Sequence, residues 1–171
     1  STITREVGEE NTLYTYAGPE IAVASTKAYI TQAELMVMLA VALADLRGQI
    51  SPERAAQLME GLADLPRKAE QALAVEEQLQ RLTSMLSQKR HVFFVGRGMD
   101  YALSMEAALK LKEVSYIFSE AYAAGELKHG PIALLKEGRL VVATLTQPAL
   151  LEKTMSNLRE VAARGAQVVA V

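Results

Sequence analysis

The chain has 171 residues, of which 50% are hydrophobic and 22% charged, and its formal net charge is −2 at pH 7. These values are typical of a folded globular chain of about one domain and exclude intrinsic disorder. The slight acidic excess gives no support to nucleic-acid binding, which normally requires a basic surface. The sequence contains no cysteine, which excludes disulfides, thiolate metal sites and a cysteine nucleophile on this chain, and its two histidines are too few for a histidine-rich metal site.

The longest apolar run covers residues 35–44 and predicts a helix that is buried nearly all round. It is too short for a bilayer span, which needs about 20 apolar residues. We expect the hydroxyl of Ser25 or Thr26 to cap the start of this helix, and Gly48 to follow its end.

Two more helices are predicted before residue 90. Ser51 and Pro52 form a cap and first-turn pair, so a helix is expected from there to about Leu62. Pro66 opens another, which an amphipathic leucine stripe extends to about Ser87.

From residue 91 onward, short β-branched stretches alternate with helical ones. In chain order, we predict a strand at 91–95, a helix at 101–114, an extended piece at 116–118, a short helix at 132–135, a strand at 140–145, a helix at 149–163 and a strand at 167–171. This alternation predicts an α/β fold with a parallel sheet wound on both faces. Residues 48–52 are the best candidate for a domain boundary. The apolar, strand-like ending leads us to expect a piece of a longer protein.

Gly96, Arg97 and Gly98 lie between a predicted strand and the next helix. Glycines there allow a phosphate or nucleotide to approach the backbone and the helix N-terminus. The third glycine of a dinucleotide motif and the Lys-Ser/Thr of a P-loop are missing. The alternative is a tight turn that leaves Arg97 in solvent.

Glu106, Lys110 and Glu113 recur on one face of the predicted helix. Such a row is often a solvated series of ion pairs that adds little stability. The alternative is that Glu113 is a general acid/base carboxylate, with an ammonium one turn back that shuttles protons or shifts its pKa; aldose–ketose isomerisation requires one well-placed carboxylate. Spacing alone leaves both interpretations open.

Two further segments are unusual. His129 lies in a stretch framed by Gly125, Gly130 and Pro131, and imidazole can move protons near neutral pH, although a lone histidine often only bonds its own loop. Residues 20–29 place small side chains and hydroxyls before a helix, which suits either a ligand close to the backbone or an ordinary cap.

Three blocks together resemble the isomerase half of the glutamine–fructose-6-phosphate aminotransferase family, the glucosamine-6-phosphate synthases. They are EIAVASTKAY at residues 20–29, EAALKLKE at 106–113 and EAYAAGELKHGP at 120–131. They occur in the family's order and spacing, and the resemblance covers about residues 1–171.

The resemblance implies two sugar isomerase (SIS) domains, each a flavodoxin-like α/β/α sandwich, with residues 1–48 ending the first and residues 49–171 forming most of the second. The implied reaction converts fructose 6-phosphate and glutamine-derived ammonia into glucosamine 6-phosphate without a metal or organic cofactor. It takes place in a cytoplasmic homodimer whose full-length chain carries a glutaminase domain, with no nucleic acid or membrane partner.

The resemblance also implies roles for individual residues. Glu113 would move a proton between C1 and C2 of the sugar, and Lys110 would assist. His129 would open and close the sugar ring in the site of the neighbouring subunit. Residues of the first domain would line the sugar site, namely Glu20, Val23 and Ser25.

The family's phosphate loop, its C-terminal imine-forming lysine and its cysteine-led glutaminase do not match any part of this chain. We therefore expect the 171-residue chain alone to be inactive, an expectation that formation of glucosamine 6-phosphate from glutamine would refute. The alternatives are a SIS-domain deglycase, a sugar-phosphate sensor without turnover, and a packing or dimerisation module.

Overall fold

A computed structural model describes residues 2–171, which divide into two compact units, residues 2–75 and 76–171. The helices and strands follow in chain order. They are α1 (Thr2–Val7), α2 (Lys27–Leu46), α3 (Pro52–Ala63), α4 (Leu65–Leu73), α5 (Glu76–Leu86), β1 (His91–Gly96), α6 (Met99–Ser115), β2 (Phe118–Ala123), β3 (Leu140–Ala143), α7 (Pro148–Ala163) and β4 (Gln167–Ala170). Short 3₁₀ turns lie at Glu9–Asn11, Ala124–His129 and Pro131–Leu134.

The second unit is built on a parallel sheet, which confirms the predicted α/β class. Within residues 2–171 the sheet has four strands in the order β2-β1-β3-β4. Alternating side chains of β1 enter two different cores. Phe93 and Val95 pack on one face with Leu158 and Val161 of α7, while Val92 and Phe94 pack on the other face with α5 and α6. The sheet is therefore wound on both faces, as predicted.

The prediction that the helix α2 is buried nearly all round is wrong. Among the described residues of this 20-residue helix, Val41 alone is buried. By length and composition α2 is also the one described helix that could cross a membrane, a weak indication because the core helix of a soluble protein passes the same test. The apolar pattern identified the helix, but no element of residues 2–75 encloses it.

Boundaries differ from the predictions at two places. The helix predicted from Pro66 to about Ser87 is two helices, because α4 tightens at Ala74 and Val75, whose N–H groups bond three residues back instead of four. Strand β2 continues to Ala123, where only a short extended piece was predicted, because it pairs with β1 along its whole length. The Ser51 cap, whose Oγ accepts from the Arg54 N–H, is confirmed.

The predicted domain boundary at residues 48–52 differs in position from the division into compact units at residue 75. The boundary refers to two SIS domains, whereas the compact units reflect contacts within this chain. The domain boundary at residues 48–52 therefore stays a prediction. The expected turn at its start is present, since Gly48 has a φ of 62° after the end of α2.

Candidate active site

One face of α6 brings together three charged side chains, as the spacing predicts. Lys110 Nζ lies 2.5 Å from Glu113 Oε2 and 3.5 Å from Glu106 Oε1. All three side chains are partly covered, with exposed fractions of 23–28%. The ammonium therefore bridges two carboxylates on a half-buried helix face rather than on a fully solvated one.

The electrostatics of this group keep Lys110 charged. Its hydrogen bond to Glu113 is the main reason that the pKa of Lys110 lies above its ordinary value, and the nearby charges of Glu113 and Glu106 act in the same direction. Lys110 is thus an ammonium at neutral pH. A carboxylate next to a fixed positive charge can take a proton from a carbon acid and return it, which is the chemistry of a general base.

Glu113 lies at the amino edge of the sheet. Strands β1 and β2 are parallel, so α6 must carry the chain back from the carboxyl edge of β1 to the start of β2. Glu113 is in the last turn of this helix. The buried Ser119 Oγ donates to the Ala108 carbonyl at 2.7 Å and ties α6 to β2.

His129 ends a short 3₁₀ turn that follows β2, Ala124–His129, which we call the histidine turn. Ala124 and Leu127 are almost completely buried and anchor the turn in the core. Lys128 Nζ pairs with Glu160 Oε1 of α7 at 2.9 Å. His129 itself is exposed, and Gly130 follows it with a φ of 144°. The histidine turn therefore presents an exposed imidazole, while Ala124 and Leu127 of the same turn are buried.

Glu113 and His129 do not meet within this chain. Glu113 is near the start of β2, whereas His129 follows the end of β2, and the six residues of that strand lie between these two edges. A strand of this length spans about 16 Å or more. Within this chain the two side chains are therefore placed towards opposite ends of β2.

The loop after β1 is filled by its own residues. A Cβ on Gly96 would lie 2.2 Å from the Asp100 carbonyl oxygen, so the glycine is needed for a close backbone contact. The buried Asp100 accepts hydrogen bonds from the N–H and Oγ1 of Thr146. Its carboxylate lies in the first turn of α6, where an incoming phosphate would meet a negative charge. This arrangement favours the tight-turn interpretation over phosphate binding.

The prediction that Arg97 lies in solvent is wrong. Its side chain is half-buried, and Nη2 donates to Asn157 Oδ1 of α7 at 2.9 Å. Sequence reasoning missed this contact because 60 residues separate the two side chains along the chain.

The three residues predicted to line a sugar site from the first domain lie in the unit of residues 2–75. Val23 is 99% exposed, and Ser25 is half-buried. Glu20 Oε2 accepts from the backbone N–H groups of Thr26 and Ala28, both at 3.2 Å. Thr26 is the N-cap residue of α2, as expected, but within the described residues its hydroxyl makes no cap bond, and the Glu20 carboxylate accepts the N–H groups at the helix start instead.

A second polar pair on β2 was not singled out from the sequence. Tyr122 Oη donates to Glu120 Oε2 at 2.5 Å. This bond, together with partial burial, raises the pKa of Tyr122 to about 12. The signal was available, because residues two apart on a strand share a face. The extended piece predicted at residues 116–118 stops before both side chains, so the prediction did not place them on a strand.

No group of three or more His, Cys, Asp or Glu side chains that could hold a metal ion occurs within residues 2–171. His91 begins β1, and its Nδ1 lies 2.7 Å from Arg139 Nη1, so its ring takes part in a contact within the sheet unit.

Comparisons with known proteins agree with these features. The SIS domain family model matches residues 85–171. The chain is 51% identical, over its whole length, to a glutamine–fructose-6-phosphate aminotransferase [isomerizing] of Clostridium tetani, and 53% identical over 99% of its length to one of Symbiobacterium thermophilum. It spans 28% and 27% of the length of these two relatives.

A solved structure shows the same fold. The C-terminal domain of glucosamine-fructose-6-phosphate aminotransferase from Francisella tularensis superposes with a TM-score of 0.87 at 41% identity. The match covers 91% of this chain and 44% of the other. The chain therefore belongs to the SIS domain family, and it is similar along its whole length to glutamine–fructose-6-phosphate aminotransferases.

Proposed function

We propose that this chain is the isomerase part of a glucosamine-6-phosphate synthase, which converts fructose 6-phosphate and glutamine-derived ammonia into glucosamine 6-phosphate. The observation that carries the proposal is the Lys110 ammonium held between two carboxylates on a half-buried face of α6. The names of relatives that are about half identical over the whole chain support the same reaction.

In the proposed mechanism Glu113 removes a proton from one of the two adjacent sugar carbons and returns it to the other. The hydrogen bond from Lys110 keeps the Glu113 carboxylate oriented, and the ammonium offsets the negative charge that develops on the sugar oxygen. Ammonia first adds to the C2 carbonyl and water leaves; the proton that leaves C1 is then delivered to C2, so the step needs no external oxidant. General acid/base groups of this kind contribute about 10²–10⁴-fold.

His129 opens and closes the sugar ring in the site of a neighbouring subunit. Its support is the separation of His129 and Glu113 at opposite edges of the sheet, together with the exposure of the imidazole. A homodimer would bring the two groups together in each of two equivalent sites.

Glu20, Val23 and Ser25 contribute the sugar contacts of the first SIS domain, residues 1–48, while residues 49–171 form most of the second. Because the Glu20 carboxylate already accepts two backbone N–H groups, we assign it the task of shaping the loop that presents Val23 and Ser25.

Ammonia must come from outside this chain, since glutamine hydrolysis by a cysteine nucleophile needs a residue that the sequence lacks. A glutaminase domain in the longer protein is the proposed source, and the chain alone is then inactive. We place the enzyme in the cytoplasm, without a nucleic-acid or membrane partner, in line with its charged, metabolic substrates.

Two alternatives predict different behaviour. A SIS-domain deglycase would cleave an amino-linked sugar phosphate, and a sensor would bind a sugar phosphate without turnover. The names of the relatives favour the synthase. For a sensor, neither Glu113 nor His129 would be needed.

The test uses Glu113→Gln in the full-length enzyme that contains this chain, with Glu106→Gln as the matched control on the same helix face. We expect Glu113→Gln to lower the formation of glucosamine 6-phosphate by about 10²–10⁴-fold, with little change in fructose 6-phosphate binding by calorimetry. Glu106→Gln removes only the longer contact to Lys110 and should cost less than about 10-fold. Unchanged turnover in Glu113→Gln would exclude Glu113 as the base, and equal losses in both variants would favour a structural row of ion pairs.

A further inference from the structure

The histidine turn is short and ends in an exposed side chain, so something must fix its direction. Ala124 and Leu127 bury its base and the Lys128–Glu160 ion pair ties its end to α7, but Gly125, near its start, has no side chain with which to pack. For ring opening, an imidazole has to lie within hydrogen-bond reach of one sugar oxygen, and small displacements of such groups reduce rates strongly.

Arg97 contacts the start of this turn from the loop after β1. A Cβ built on Gly125 would lie 3.2 Å from Arg97 Nη2 and 3.3 Å from Nη1, so the guanidinium lies against the Gly125 backbone. Gly125 does not have a positive φ, and the absence of a side chain there is therefore explained by the guanidinium rather than by the backbone conformation.

Arg97 is itself held in place through both its guanidinium and its backbone. Arg97 Nη2 donates to Asn157, which is 7% exposed on α7. The Arg97 carbonyl accepts from Gln147 Nε2 at 2.8 Å, which fixes the backbone of the loop. The side chain thus connects α7 to the histidine turn through a planar, rigid group.

One feature of Arg97 opposes a purely stabilising role. Its Nε is buried and has no hydrogen-bond partner within residues 2–171. A buried N–H without a partner destabilises the folded state, and an arginine selected only for stability would leave this atom in water. The guanidinium nevertheless lies against the backbone of Gly125 in the histidine turn.

We infer that Arg97 is a positioning residue for His129: it fixes the histidine turn through Gly125 and is anchored by Asn157. This inference rests on the proposed function, in which His129 opens the sugar ring. It assigns a task to the Gly96–Gly98 loop, for which the sequence offered only a steric explanation or a phosphate site.

The kinetic test compares two substrates in the full-length enzyme. Fructose 6-phosphate is a closed ring for most of the time, whereas 5-deoxyfructose 6-phosphate lacks the hydroxyl that closes the furanose and stays open. We expect Arg97→Ala to lower kcat for fructose 6-phosphate by about 10- to 100-fold, the scale of one charge-assisted hydrogen bond. Its effect on the open-chain substrate should stay within about threefold of wild type.

Three variants make this result specific. Arg159→Ala removes an exposed arginine from α7 and should leave both substrates unaffected. Gly125→Ala should reproduce the Arg97→Ala pattern by displacing the guanidinium, and the double variant should be no worse than either single one. Arg97→Lys should recover part of the activity, since it keeps the charge but not the planar contact. Equal losses on both substrates in Arg97→Ala would overturn the positioning role.

His129→Ala separates this inference from the proposed function. If it shows the same selective loss on fructose 6-phosphate while Arg97→Ala does not, the positioning role is wrong and the ring-opening role stands. If His129→Ala shows no selectivity, the ring-opening role fails. Hydrogen exchange then tests whether Arg97 restrains the histidine turn independently of the chemistry. Amides of residues 125–130 should exchange about 10-fold faster in Arg97→Ala but not in Arg159→Ala. Unchanged exchange would overturn the positioning of the turn by Arg97.

Discussion

The two compact units of this chain are similar in apolar content but differ in what they bury. In residues 76–171 the sheet has a buried core on each face, and five of the six residues of β1 are buried. Among residues 2–75 the longest and most apolar helix, α2, buries Val41 alone. Hydrophobic periodicity thus predicts which segment is helical, whereas burial depends on whether another element packs against it.

The units also differ in how they hold the proposed site residues. In the sheet unit, Glu113 and His129 are supported by buried neighbours on α6, β2 and the histidine turn. In the other unit, Val23 and Ser25 lie on a loop that is ordered mainly by the Glu20 carboxylate. Substitutions in the two units should therefore act on different properties of the protein.

The largest expected difference concerns the core. Phe93→Ala removes a ring that is 4% exposed in the sheet unit and should lower the free energy of unfolding by about 3–5 kcal/mol. Met38→Ala on α2, where the side chain is 43% exposed, should change it by less than about 0.5 kcal/mol. Urea unfolding measures both values. Comparable losses would mean that α2 is covered in solution, and would remove the contrast between the units.

A smaller effect is expected at the start of α2. Glu20→Ala leaves the N–H groups of Thr26 and Ala28 without their carboxylate partner and should destabilise the helix start by about 0.5–2 kcal/mol. Faster hydrogen exchange at these two amides is the direct measurement. Glu34→Ala, within the same helix, serves as the control and should leave their exchange unchanged. If Glu20→Ala has no effect on exchange, the carboxylate does not order this loop.

The smallest effect is a change in titration within the sheet unit. The hydrogen bond to Glu120 raises the pKa of Tyr122 to about 12, so the folded state holds this proton more tightly than the unfolded state. The resulting stabilisation is complete below the ordinary tyrosine pKa of about 10 and is lost as the pH rises through about 12.

When the six tyrosines are titrated with base and followed by ultraviolet absorbance, one ionisation should therefore occur at a higher pH than the others, which we call the late phase. Tyr122→Phe should remove this phase, and Glu120→Gln should move it towards lower pH by removing the charged acceptor. A late phase that survives in Tyr122→Phe would show that another tyrosine is responsible.

Local patterns predicted most of the elements in this chain. The Ser51–Pro52 pair, the glycine after α2 and the alternation of strands with helices all rest on interactions between near neighbours in sequence. Most of strand β2 was not predicted, because its segment is polar and rich in alanine. The strand is defined by its pairing with β1, in which Phe118 lies opposite His91, 27 positions earlier in the chain. The 3₁₀ turn that ends at His129 was not predicted either, because buried contacts stabilise it rather than the propensity of its own residues.

For the candidate site, the i, i+4 and i+7 spacing placed Glu106, Lys110 and Glu113 on one face, and the structure confirms this arrangement. Spacing could not show that the face is half-buried or that Lys110 lies nearer to Glu113 than to Glu106. The contact between Arg97 and Asn157 also escaped prediction, since it joins two elements 60 residues apart.

The sequence by itself determined the α/β class and the shared helix face of Glu106, Lys110 and Glu113, because periodicity, caps and helical spacing act over a few residues, and its three motif blocks carried the resemblance to the family. Only the tertiary structure decided that Glu113 and His129 lie at opposite edges of one sheet, that Glu20 caps α2, and that Arg97 touches the histidine turn. The physical reason is common to all three: each depends on side chains brought together by chain reversal and packing, which leave no periodic signal in the sequence.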